Sequence, residues 1–98
     1  MPSVFKIEKQ SVVLEVELTT GEKGQVRIYL PSTKQTQALL KAGEEGAVAS
    51  FDNQIELLKA NVEGDLKDSF VNDILENGNV IEFFNLVQTE AAKQKKTR

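Results

Sequence analysis

Apolar and polar residues alternate through the first third of the chain. Phe5 and Ile7, then Val12, Leu14, Val16 and Leu18, then Val26, Ile28 and Leu30 recur at every second position, interleaved with Lys6, Glu8, Glu15, Glu17, Arg27 and Tyr29. A period of two puts each set on one side of an extended strand, so one face is apolar and the other wet. Lys9-Gln10-Ser11 is short enough for a tight connection, and Thr19-Thr20-Gly21-Glu22-Lys23-Gly24 supplies two glycines for a longer hairpin loop. The pattern predicts an antiparallel meander or hairpin of about three strands.

Pro31 cannot donate a ladder hydrogen bond and ends the sheet, and Ser32 or Thr33 can cap the helix that follows. The period then changes. A short helix with Ala38, Leu39 and Leu40 is expected to stop at Gly43. From Glu44 onward, Val48, Phe51, Ile55, Leu58 and Val62 recur at steps of three and four, which predicts one apolar stripe along a second helix closed by Gly64. Asp65 is the expected cap of a third helix, whose inward face carries Leu66, Phe70, Ile74 and Leu75. Gly78 fits just past its end, and Asn79 with Glu82 has the spacing of a capping box for a last helix. That helix holds Val80, Ile81, Phe83, Phe84, Leu86 and Val87, an apolar arc wider than one buried stripe needs. The expected fold class is therefore α+β, an N-terminal antiparallel β meander or hairpin followed by three to four helices. Residues 1–90 form a single domain in this reading, and residues 91–98, which lack an apolar anchor, are a basic, unstructured tail.

Composition narrows the possibilities. Ninety-eight residues fit one core, built mainly from Val, Ile, Leu and five Phe, because aromatics are only 6% of the chain. There is no cysteine, which removes disulfides and thiolate metal sites and points to a reducing cytoplasm. The first residues lack the basic start and apolar run of a signal peptide, and no stretch approaches the roughly 20 apolar residues of a membrane span. A soluble, cytoplasmic protein is expected. Net charge is −3, unevenly spread: residues 1–43 carry +2, residues 44–90 carry −9 and residues 91–98 carry +4. The acidic block argues against a nucleic-acid-binding core, since phosphate recognition needs a positive face.

The chain has no histidine, cysteine or tryptophan, so the commonest general base, the thiolate nucleophile and every imidazole or soft metal site are absent. No catalytic residue, metal ligand or cofactor is expected. Asp65, Asp68 and Asp73 cluster in sequence, but the first two suit the N-cap and N3 positions of a helix better than a metal site, and the calcium-loop pattern is not met. Gly21-Glu22-Lys23-Gly24 lacks the glycine spacing and Lys-Ser/Thr ending of a phosphate loop. Glu15 and Glu17 share a strand face, which reads more simply as exposed sheet surface.

Binding is the better prospect. Ile81, Phe83, Phe84 and Val87, with Phe70 from the preceding helix, are the candidate partner-binding residues, because a small domain has difficulty hiding that much apolar surface. The alternative is that the phenylalanines simply fill the core. The few strands also leave sheet edges, which can pair with a neighbouring subunit unless Lys6, Lys9 and Lys23 protect them.

The order of parts carries a family resemblance. A short β unit ends in Val26-Arg27-Ile28-Tyr29-Leu30-Pro31-Ser32, a Leu39-Leu40 helix follows, and acidic helices run through Ile55-Glu56-Leu57-Leu58 and Phe70-Val71-Asn72-Asp73-Ile74-Leu75. This layout resembles the small tail assembly chaperones of long-tailed bacteriophages over most of residues 4–88, in size and helix pattern. The resemblance implies a non-catalytic factor of the host cytoplasm that coats the tape measure protein during tail assembly and self-associates as a homo-oligomer, with neither nucleic acid nor membrane as partner. A different class of function, a small acidic inhibitor or regulator that occupies a basic surface of an enzyme or nucleic-acid-binding protein, is the alternative.

Overall fold

Seven elements follow one another along the chain in the computed structural model, which describes residues 2–96 and, of residues 95 and 96, the backbone alone. They are β1 (Ser11–Glu17), β2 (Lys23–Tyr29), α1 (Thr33–Glu45), α2 (Ala47–Asn61), β3 (Val62–Glu63), α3 (Lys67–Asn77) and α4 (Val80–Lys96). The three strands form one antiparallel sheet in the order β1-β2-β3, so the expected α+β class holds.

Alternation does what the pattern requires in β1 and β2. Val12 lies opposite Ile28 and Leu14 opposite Val26, and these pairs face the core while Glu15, Glu17, Gln25 and Arg27 face solvent. The two strands are joined by a three-residue loop between Leu18 and Glu22. The Leu18 N–H donates to the Glu22 carbonyl (2.8 Å), the Gly21 N–H to the Leu18 carbonyl (2.8 Å), and Gly21 supplies the positive φ of 91° that such a loop demands.

The third strand is not the expected one. Residues 2–10 have no regular structure, and Val4, Phe5 and Ile7 stand 88–91% exposed. The free edge of β2 is taken instead by Val62-Glu63, opposite Ile28 and Arg27. Val62 arrives there directly from the end of α2 and is fully buried, whereas Lys9-Gln10-Ser11 offers no residue suited to the positive φ of a tight hairpin turn.

Helix α1 begins with a complete capping box: the Gln35 N–H donates to Ser32 Oγ (3.1 Å) and the Ser32 N–H to Gln35 Oε1 (3.0 Å). It runs through Gly43 and stops at Gly46, three residues later than expected. Gly43 continues the helix, while Gly46 sits at φ 134°, where a side chain is strained, and serves both to end α1 and to begin α2. Helices α1 and α2 form a hairpin that leaves the sheet after β2 and returns to it at β3. The molecule is elongated, with a radius of gyration of 15.1 Å against roughly 13 Å for a spherical domain of this length.

The core gathers Val12, Leu18, Val26, Ile28, Leu58, Val62, Phe70, Val71, Val80, Phe83 and Val87, and no residue of α1 is among them. The predicted α2 stripe is thus only half buried. Leu58 is sealed and Ile55 half-buried, but Val48 and Phe51 are exposed, because the first turns of α2 have α1 beside them and little else. Val62, placed at the end of that stripe by periodicity, belongs to β3. Asp65 is not the cap of α3, which starts from Leu66 without a side-chain cap, and Asp68 lies in its first turn, near the positive end of the helix. Helix α4 continues through residues 91–96, where an unstructured tail is expected; Ala91 packs on the core, and Lys93 Nζ lies 3.3 Å from Glu90 Oε1. Residues 97 and 98 of that tail lie outside the described residues.

Candidate functional site

The phase of α4 decides which of its apolar residues meet solvent. The Gly78 N–H donates to the Ile74 carbonyl (3.0 Å) and ends α3, and Asn79 Oδ1 accepts from the Glu82 N–H (3.2 Å) and starts α4, as the Asn79–Glu82 spacing predicts. With the start set there, Val80, Phe83 and Val87 point inward. Phe83 is packed between Phe70 (ring centroids 5.1 Å apart) and Phe84 (5.8 Å), both in tilted contact.

The five candidate partner-binding residues therefore divide. Phe70, Phe83 and Val87 are buried core residues, which corrects the expectation that they form an outer surface: their positions on α3 and α4 face one another and the sheet, and they fill the space between. Phe84 is half-buried and Ile81 is 46% exposed. Both of these line an apolar groove of about 190 Å³ between α4 and the α1–α2 hairpin, whose other walls are Leu30, Pro31, Leu39 and Leu57, with Asn85 and Gln88 on the rim. Val87 reaches the groove from the core side. Leu30 from the connection after β2, Leu39 from α1 and Leu57 from α2 escape sequence reasoning, because periodicity assigns a residue to a face without saying which other element shares it. Leu86, 47% exposed, lies outside this groove.

Size limits what the groove can take. Small-molecule sites span roughly 300–1,000 Å³, so a space of about 190 Å³ suits one or two apolar side chains projecting from another polypeptide. A broader cleft of about 680 Å³ lies at the base of the N-terminal segment, against Tyr29, Pro31, Ser32, Gln35 and Asn61. Three of its polar side chains, Ser32, Gln35 and Asn61, are engaged with one another. Buried Asn61 donates from Nδ2 to the Tyr29 carbonyl (3.0 Å) and to Gln35 Oε1 (3.1 Å), and accepts at Oδ1 from Gln35 Nε2 (2.8 Å). The Ser32-x-x-Gln35 spacing signals the capping box, but nothing in the sequence signals its link to Asn61.

The acidic residues do not assemble a metal site: among the described residues no three ligand side chains come close enough to hold an ion. Asp73 has a structural partner instead. Its Oδ2 accepts from the Thr19 N–H (2.7 Å), and its Oδ1 from Thr19 Oγ1 (2.7 Å) and Asn77 Nδ2 (2.9 Å), fastening the β1–β2 loop to α3. The Thr19 hydroxyl first, then the Thr19 amide and the Asn77 amide, hold this carboxyl below its ordinary value of 3.8. A depressed folded-state pKa adds stability that is fully present above 3.8 and disappears as pH falls through the lowered value. Urea titrations between neutral pH and pH 2 are expected to show Asp73→Asn losing less stability on acidification than the parent; equal acid losses would remove Asp73 from this role. Glu17 lies 3.8 Å from Lys23 across the β1–β2 pair, and both Glu15 and Glu17 are exposed, as an outer sheet face requires. No helix among the described residues is long and apolar enough to cross a membrane.

Comparison of the chain with protein-family models, with curated proteins and with solved structures found no match.

Proposed function

We propose that this chain is a non-catalytic assembly factor that holds an apolar helical segment of another protein in the groove between α4 and the α1–α2 hairpin. The observation that carries the reading is the exposure of Ile81 beside half-buried Phe84 and Leu39 in a groove sized for side chains. The resemblance to phage tail assembly chaperones names the client, the tape measure protein, and the place, the cytoplasm of an infected host. An amphipathic client helix would insert one or two of its apolar side chains there, and the acidic residues around α2 and α3 would keep the complex in solution.

Co-expression with a tape measure protein, followed by affinity capture through a tag on this chain, tests the reading. Ile81→Asp is expected to weaken capture at least about tenfold, the equivalent of about 1.4 kcal/mol, with an unchanged far-ultraviolet spectrum because Ile81 is half outside the fold. Reversing Glu44, Glu45 and Asp52 to lysine is expected to leave capture within a few-fold of the parent. Capture insensitive to Ile81→Asp would reject the groove. Loss on charge reversal alone would favour an acidic regulator that covers a basic surface.

A further inference from the structure

We infer that two copies of this chain associate by laying the N-terminal segment of each, residues 3–9, along the open edge of the other's β1. Strand β1 lies at the end of the sheet order, so among the described residues one side of it has no neighbouring strand. The Leu18–Glu22 and Gln10–Leu30 hydrogen bonds set the ladder phase: even-numbered residues of β1 turn their amides and carbonyls toward β2. Ser11, Val13, Glu15 and Glu17 accordingly direct theirs to the open side.

The segment that precedes β1 has the complementary properties. Gln10 accepts from the Leu30 N–H (2.9 Å), which holds it in line with β1, and Lys9 Nζ sits 4.4 Å from the centre of the Tyr29 ring. Lys6 and Glu8 pair at 3.3 Å, two residues apart, as neighbours on one side of an extended chain do. Phe5 and Ile7 are left on the opposite side, both 88% exposed. In an antiparallel pair about a twofold axis perpendicular to the sheet, residues opposite one another lie on the same face, so odd numbers meet odd numbers. Phe5 and Ile7 of one copy then fall on the same face as Val13 of the other, the one large apolar side chain that β1 turns outward, at 44% exposure. The same segment cannot readily serve its own edge. Folding back would need a tight turn at Glu8-Lys9, and neither residue suits the positive φ of such turns.

This pairing does not rest on the client groove, since no residue of that groove belongs to residues 3–17. Sedimentation equilibrium of the full chain is expected to show a dimer. Phe5→Glu with Ile7→Glu, changes confined to side chains outside the core, is expected to weaken it by about 100-fold or more. Val13→Pro removes an amide that faces the open edge and is expected to do the same. Hydrogen exchange at the Val13 and Glu15 amides is expected to be slow in the parent and fast in the Phe5/Ile7 variant. A parent chain that stays monomeric at millimolar concentration, or an assembly that survives the Phe5/Ile7 changes, overturns the inference, and either result leaves the client-capture experiment intact.

Discussion

Phe83→Ala is expected to cost about 3–5 kcal/mol of stability, and Ile81→Ala, one half-turn earlier on the same helix, less than about 1 kcal/mol. The difference follows from position. Phe83 is 8% exposed and touches aromatic rings on both sides, so truncation leaves a cavity that α3, α4 and the sheet cannot all close upon. Ile81 already has half of its surface in water. Domains of this size have only about 5–15 kcal/mol in hand, and each kcal/mol moves the midpoint by roughly 4–8 °C. Thermal melts should place Phe83→Ala at least about 12 °C below the parent, with Ile81→Ala close to it. Two equal, small shifts would mean that Phe83 is not the core residue described above.

The second large effect is expected at Asn61, the one polar side chain buried among the described residues. Asn61→Ala removes the donor that satisfies the Tyr29 carbonyl and both partners of the Gln35 amide, and should cost about 2 kcal/mol. Asn61→Asp keeps the shape and is expected to be worse at neutral pH, because a carboxylate has no proton to offer the Tyr29 carbonyl. Burial raises the pKa of such a carboxyl, so the loss should shrink as pH falls and the group becomes protonated. Combining Asn61→Ala with Gln35→Ala should give less than the sum of the single losses by about 0.5 kcal/mol or more, since the two side chains form one network. Urea denaturation of the parent and the four variants measures all of these quantities, and strict additivity would show that Gln35 and Asn61 act separately.

Local signals account for what the sequence revealed. The alternation in β1 and β2 and the Asn79 cap each depend on residues within a few positions, and each stands where it was expected; the loop between the strands is shorter than expected, since only Gly21 turns it and Lys23 and Gly24 already belong to β2. Signals that concern distant neighbours are not written locally. The period of three and four from Val48 to Leu58 marks one side of a helix correctly, and fails at Val62, which is in β3; only tertiary packing determines that Leu58 is covered and Val48 is not. Gly43 and Gly46 are equally good punctuation on paper. The chain breaks at the second because Gly43 is tolerated inside α1 at a cost of about 1 kcal/mol, whereas the turn into α2 uses the positive φ of Gly46. The same limit applies to the candidate site. The width of the α4 apolar arc was readable, but the residues that cross from core to surface within it depend on where Phe70 and the sheet lie. Asp73 was visible only as one of several acids, because its partner Thr19 is 54 positions away.

One consequence of the route between β2 and β3 concerns how freely the molecule could change size. Ile28 and Val62 are paired neighbours, so residues 30–61 leave the sheet and come back to it at nearly the same point. Their two ends are tied together by Ser32, Gln35 and Asn61, and the far end, at Gly46, faces open space. Insertions or deletions of matched helical turns near Gly46 would therefore lengthen or shorten the appendage without shifting the strand register, making it the natural place for variation in reach.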